Sequence, residues 1–250
     1  MSAPDWLIAR PIAHRGLHDR AKGIVENTLS AAEAAIAGNF AIECDVQRTL
    51  DGEAVVFHDH ALERLTEQKG AVRNLAAAEL TRVPLTVTQD RIPTLQSFFE
   101  RIDGRVPVIV EIKSRFDGDM VLTRRTAEIA SLYNGPVALK SFDPGIVAAL
   151  RQLASDVPRG IVAEASYDDP EYDALSAEAK EEMANLLHFP RTQPDFLSWH
   201  VGDLPSAAPF LCRYLARLPV MTWTVRTDED RRRALVHADQ IVFEAFRPDV

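Results

Sequence analysis

The chain has 250 residues, and 28 lysines and arginines against 37 aspartates and glutamates leave a formal charge of −9 at neutral pH. With 46% apolar and 26% charged residues, it reads as globular, which excludes a disordered tail or a fibrous repeat. An acidic chain also lacks the basic face that broad nucleic-acid or anionic-membrane binding requires, although a local cation or bound metal can still favour an anionic substrate.

Short β-rich runs alternate with helical patterns. The first run, Leu7–Gly16, reads as a strand ending in glycine. Asn27 then stands where a helix N-cap belongs, ahead of Leu29, Ala32 and Ile36 at helical spacing up to Gly38. Phe40–Val46 follows as a strand, Asp51-Gly52 as a turn, and Glu53–His58 as a hairpin-like return. Residues 59–93 are irregular and read as an insertion after the second strand. A helix from Thr94 to about Arg101 leads to Val106–Lys113, an apolar run suited to a buried parallel strand. Leu122, Thr126 and Ile129 mark a helix, Pro136–Phe142 a strand, and Ile146, Leu150 and Leu153 another helix. The remaining predicted strands are Gly160–Glu164, Asp195–His200, Pro219–Val225 and Gln240–Phe246, with helices over Glu178–Leu187, Phe210–Arg217 and Glu229–His237.

Eight strand–helix alternations in one chain predict α/β class and a single-domain (β/α)8 TIM barrel spanning residues 1–250. No glycine-rich phosphate loop follows the first strand, which weighs against an open nucleotide-binding sheet. Only seven residues follow Phe243, so the last outer helix is expected to be missing or replaced. Cys44 and Cys212 lie 168 positions apart and read as buried free thiols. The N-terminus lacks the pattern of a signal peptide and no run approaches a membrane span. The expectation is a cytoplasmic protein without a stable membrane anchor.

Barrel enzymes carry their reactive groups at the C-terminal strand ends. There the sequence places His14-Arg15, Glu43 and Asp45, Glu111 and Lys113, and, on the hairpin return, His58-Asp59. Glu43 and Asp45 are two apart and share a face, as do Glu111 and Lys113. Cys44 suits the apolar layer between barrel and helices, and alternation then turns its two acidic neighbours inward. Three converging carboxylates would repel unless a cation holds them, and all-oxygen ligation suits Mg2+ or Ca2+ rather than zinc. Arg15 and Lys113 beside that cation offer a phosphate site. His14 and His58 can exchange protons near neutral pH.

These residues resemble the glycerophosphodiester phosphodiesterase family. The motifs are His14-Arg15-Gly16, Glu26-Asn27-Thr28, Glu43-x-Asp45, Asp51-Gly52, Val55-Val56-x-His58-Asp59 and Leu62-x-Arg64. Ile92-Pro93-Thr94-Leu95, Glu111-Ile112-Lys113, Ser141-Phe142-Asp143-Pro144 and Trp223-Thr224-Val225 extend the resemblance along nearly the whole chain. It implies a barrel with a small insertion at 59–93 and hydrolysis of small-molecule glycerophosphodiesters such as glycerophosphocholine and glycerophosphoethanolamine. His14 and His58 would be the acid/base pair, Glu43, Asp45 and Glu111 the ligands of one Mg2+ or Ca2+, and Arg15 and Lys113 the phosphate contacts. Trp223 would line the pocket or fill the barrel, Asn27 would cap its helix, and Glu26 would brace the loop.

The sequence departs from the family pattern in several places. Val25 and His60 stand where prolines are usual, and the last strand reads Phe243-Glu244-Ala245-Phe246-Arg247-Pro248 instead of closing with Thr-Asp-x-Pro. Lys140, where a small or apolar residue is more usual, either adds charge to the pocket or snorkels outward. Two rival readings are a silent phosphodiester-binding barrel and an amidohydrolase-type enzyme using His58-x-His60 with Lys140 and His200.

Overall fold

In the computed structural model, which describes residues 3–248, strands and helices alternate from the first strand to the last. β1 (Ile12–Ala13), α1 (Leu29–Ala37), β2 (Ala41–Arg48) and β3 (Ala54–Val56) open the chain. The segment after β3 contains only the short helix α2 (Ala77–Leu80) and 3-10 turns, and leads to α3 (Leu95–Ile102) and β4 (Val108–Ile112). Then come α4 (Val121–Ser131), β5 (Val137–Ser141), α5 (Pro144–Leu153), β6 (Arg159–Ala163), α6 (Ala177–Ala184) and α7 (Phe189–Thr192). β7 (Phe196–His200), α8 (Ala207–Tyr214), β8 (Val220–Val225), α9 (Asp228–His237) and β9 (Gln240–Phe243) complete it. Parallel pairing runs β1-β9-β8-β7-β6-β5-β4-β2, and a further pairing of β1 with β2 closes the circle. The fold is a (β/α)8 barrel of eight parallel strands, with β3 lying antiparallel on β2 outside the circuit.

Alternation along the strands divides the core into layers. Ile12, Ala41, Ile109, Ala138, Phe196, Met221 and Val242 pack together inside the barrel, with Leu7 added from the 3-10 turn Asp5–Leu7. Gly160 makes room for this packing: a Cβ there would sit 2.3 Å from the Phe196 ring. Cys44 belongs to the other layer, fully buried among α1, α3 and α4 residues such as Ala32, Phe98 and Leu122. Glu43 and Asp45 therefore turn inward. Both cysteines are free and buried.

The structure corrects several boundaries. The first strand shrinks from Leu7–Gly16 to Ile12–Ala13, because Leu7 is spent in the 3-10 turn and His14-Arg15-Gly16 already turns away. Arg15 and Gly16 both adopt positive φ, and a Cβ on Gly16 would lie 2.9 Å from Ala31. Only glycine fits that turn without strain. Asn27 is not the cap of α1. Thr28 is, accepting the Ala31 amide at 3.2 Å, while Asn27 sits at φ 58° with its side chain turned to the site. β9 stops at Phe243 and no helix follows it among the described residues. Phe246 instead folds back on Phe243 at 5.4 Å, under the Arg231 guanidinium at 5.1 Å.

The segment following β3 has a small core of its own. Leu62, Leu65, Val72, Leu80, Val83, Leu85 and Ile92 pack on Val25, Val55 and Phe57. It thereby holds His58 at the barrel mouth. No helix among the described residues is long and apolar enough to cross a membrane.

Candidate active site

Above the apolar interior, the inward rows end in polar groups around a cavity of about 380 Å³. His14, Arg15, Asp45, His58, Glu111, Lys113, Lys140 and Trp223 all line it. Glu43 lies directly beneath, its Oε2 accepting the Arg15 amide at 3.1 Å. The structure thus brings together the eight residues that the sequence assigned to the site, and of the two placements open to Lys140 it has the one in the pocket.

Glu43, Asp45 and Glu111 are all buried, and one ligand oxygen from each lies within 4.8 Å of the others. β2 and β4 are adjacent with Asp45 opposite Glu111, so the triad follows directly from strand register. Three hard carboxylate oxygens within that span suit one divalent cation. Glu43 Oε1 adds a second sign. It is buried without a hydrogen bond, since the Lys140 ammonium at 3.0 Å supplies charge but is poorly aligned for donation. Among the described residues no other group of His, Cys, Asp and Glu side chains is placed to hold an ion.

Cations interleave with these carboxylates. Lys113 Nζ bridges Asp45 Oδ1 at 2.8 Å and Glu111, and Arg15 Nε is 3.4 Å from Asp45 Oδ2. Asn27 donates to Asp45 Oδ2 at 2.9 Å and accepts the Asp45 amide at 3.2 Å, which orients that carboxylate. Burial by itself would raise the carboxyl groups, but Lys113 overcomes it, holding Asp45 well below the usual range and Glu111 at about 2. Burial pulls in the opposite direction on Lys113, and Asp45 with Glu111 more than restores it, so its pKa is raised. Asp45, Glu111 and Lys113 are therefore charged at neutral pH.

Each histidine rests on a carboxylate. His14 Nδ1 is 2.8 Å from Glu244 Oε2, and His58 Nδ1 is 2.7 Å from Asp59 Oδ1. A carboxylate at Nδ1 fixes the Nδ1–H tautomer and leaves Nε2 for the cavity. Burial opposes the charge on Glu244, yet the His14 hydrogen bond and Arg226 hold its pKa at about 2. Asp59 lies further below the usual range through His58 and Arg64, again against burial. Arg64 reaches Asp59 at 2.6 Å and Glu26 at 2.7 Å, and Glu26 in turn accepts from Arg15 at 2.8 Å. One chain of ion pairs therefore steadies both His58 and Arg15.

Sequence reasoning missed Glu244 as the partner of His14 and Arg64 as the link between His58 and Arg15. Glu244 immediately follows β9, so the strand-end rule was the available signal. Lys140 does not snorkel. It is 2% exposed and paired to Glu43 and to Glu111 at 3.2 Å. His58, His60 and His200 also line the cavity, but among the described residues they belong to no group of three or more His, Cys, Asp and Glu side chains that could hold an ion. His60 Nδ1 meets Gln47 at 3.1 Å, and burial with Arg115 nearby lowers its pKa to about 4, while His200 lies against Trp223 and Asp203. The Trp223 indole donates to the Ser198 carbonyl at 3.0 Å and meets Phe142 edge-on at 5.4 Å. It forms a wall of the cavity opposite the triad.

The profile of the glycerophosphoryl diester phosphodiesterase family matches residues 14–243. The chain belongs to that family. A glycerophosphodiester phosphodiesterase of Caldanaerobacter subterraneus is 31% identical over 178 residues, covering 67% of this chain and 72% of that protein. Glycerophosphodiester phosphodiesterase 1 of Homo sapiens is 31% identical over 158 residues, covering 58% of this chain and 46% of that protein. The fold is shared with an Oleispira antarctica phosphodiesterase solved with the product sn-glycerol-3-phosphate, at a TM-score of 0.76, 21% identity and coverage of 95% and 93%. It is shared also with the Thermotoga maritima glycerophosphodiester phosphodiesterase, at 0.69, 23% identity and coverage of 93% and 92%.

Proposed function

We propose that this family member hydrolyses glycerophosphodiesters to glycerol 3-phosphate and an alcohol, using one Mg2+ or Ca2+ held by Glu43, Asp45 and Glu111. The observation that carries this reading is a carboxylate triad flanked by Arg15 and Lys113, with two carboxylate-backed histidines opening on the same cavity. The names of the similar proteins and the product bound in the Oleispira structure favour it over the amidohydrolase reading. A bound divalent cation would draw charge from the phosphate oxygens.

The remaining chemistry belongs to this chain. Arg15 and Lys113 line the cavity with cationic N–H groups that bind the phosphate and stabilise charge growing on its oxygens. The histidine facing the glycerol's own hydroxyl takes its proton at Nε2 as that oxygen bonds to phosphorus; the other gives an Nε2 proton to the alcohol oxygen as its P–O bond breaks, and water then opens the cyclic phosphate to glycerol 3-phosphate with the two roles exchanged. Glu244 and Asp59 stabilise the imidazolium form of each. Trp223 and Phe142 supply an apolar wall for the organic part of the substrate. Two free buried cysteines suit a reducing cytoplasm.

The test is release of glycerol 3-phosphate from glycerophosphocholine, glycerophosphoethanolamine and glycerophosphoglycerol, first in chelator and then with Mg2+ or Ca2+ restored. Metal-restored release is expected, and it should fall at least ~10²-fold in His14→Ala and in His58→Ala. No release with any diester and metal, from folded protein, refutes the reading in favour of a silent binder.

A further inference from the structure

Each of the six oxygens of the carboxylate triad faces a cation or an N–H group of this chain. Glu43 Oε1 is 3.0 Å from Lys140 Nζ and Oε2 is 3.1 Å from the Arg15 amide. Asp45 Oδ1 is 2.8 Å from Lys113 Nζ, and Oδ2 faces Asn27 at 2.9 Å and Arg15 Nε at 3.4 Å. Glu111 Oε1 meets Lys113, and Oε2 is 3.2 Å from Lys140. Followed around, the groups alternate as Glu43, Lys140, Glu111, Lys113, Asp45 and Arg15. Three negative and three positive charges cancel.

Lys140 differs from the other two cations. The side chains of Arg15 and Lys113 are each 17% exposed, whereas that of Lys140 is 3% exposed. It projects from β5 at the floor of the site, its ammonium fixed between the two glutamates. A phosphate that draws Arg15 and Lys113 toward itself leaves Lys140 in place. A divalent cation entering the triad must share both glutamates with this ammonium.

We propose that Lys140 is a permanent counter-ion of the triad, which weakens its hold on a divalent cation and makes metal loading depend on an accompanying anion. The inference rests on the triad being the metal site. With Lys140 the ring is neutral, a divalent cation brings it to +2, and a singly charged diester returns it to +1. Without that ammonium the same sequence runs −1, +1 and 0. An opposing charge a few ångströms from the ion inside a buried site is large enough to change affinity on the order of ten-fold or more. By linkage, an anion that relieves the excess positive charge raises metal affinity, and the metal raises anion affinity by the same factor.

Calorimetric titration of the chelator-stripped full chain with Mg2+ or Ca2+ alone tests this, comparing wild type with Lys140→Met and Lys140→Gln. At least about ten-fold tighter metal binding is expected in both variants. Glycerol 3-phosphate should tighten Mg2+ binding in wild type. A variant that folds only with metal present is measured by competition against a chelator of known affinity, and a tighter constant there is equally supporting. Equal or weaker metal binding in folded variants overturns the role of Lys140 and leaves the metal site standing. No divalent binding by wild type or variants removes the metal site and this inference together.

Discussion

On the proposed mechanism, the hydrogen bond between His14 and Glu244 ties an acid/base group to the residue just after β9. Glu244 does not line the cavity, so its removal should spare substrate binding and act through His14. A hydrogen bond with a charged partner is worth about 1.5–3 kcal/mol, which converts to roughly ten- to a hundred-fold in rate. Glu244→Gln keeps an acceptor for Nδ1–H but loses the charge that stabilises imidazolium, and should fall near the lower figure. Glu244→Ala loses both and should approach the upper one. The loss is expected in kcat, with KM within about two-fold of wild type. Stability should hold, since the other partner of Glu244 is Arg226, whose side chain is 51% exposed, and such pairs contribute roughly 0–1 kcal/mol. Steady-state kinetics at saturating metal, with melting temperatures as control, decide it. A folded Glu244→Ala enzyme with kcat within two-fold of wild type, or a loss confined to KM, refutes the argument.

Two further predictions concern the frame around the site. Burial raises the Glu164 carboxyl to about 7, with Glu171, Asp203 and Asp169 adding to the shift and a hydrogen bond from Tyr172 opposing it. Its folded pKa lies above the usual 4.5, so its stabilising share is complete below pH 4.5 and is lost as pH rises through 7. Glu164→Gln, neutral at every pH, should therefore gain in melting temperature relative to wild type between pH 5 and pH 8; an unchanged difference across that range would contradict this. Gly160→Ala should destabilise the barrel by about 1–3 kcal/mol, because its Cβ would press on the buried Phe196 ring at 2.3 Å. Denaturant unfolding measures the loss, and Gly160→Ala with Phe196→Leu should recover part of it. A neutral Gly160→Ala would mean that the interior yields more readily than this packing implies.

What could be read from the sequence is what local pattern and register determine. Two-residue periodicity sends Cys44 to the helix layer and its neighbours inward, and parallel register then places Asp45 opposite Glu111. All three carboxylates that could hold a metal are thus set by alternation along two strands. The misses arise where that logic stops. Asn27 and Thr28 are adjacent and both chemically able to cap α1; only the positive φ of Asn27, imposed by the tight return at Arg15 and Gly16, hands the cap to Thr28 and frees Asn27 to orient Asp45. Glu244 and His14 are 230 residues apart, and they meet only because β9 pairs with β1 to close the barrel. Arg64 depends likewise on how the segment after β3 folds over the rim.

Barrel closure also carries the residues just after β9 to the rim of the site. The residues just after β9 furnish both a group beside His14 and an aromatic side chain against the last strand. Glu244 accepts from His14, and Phe246 packs back on Phe243 beneath Arg231. On the proposed mechanism, the carboxylate after β9 has to be held beside His14. Arg226, from the end of β8, does this by meeting Glu244 at 3.2 Å. His14 thereby keeps a charged partner at Nδ1.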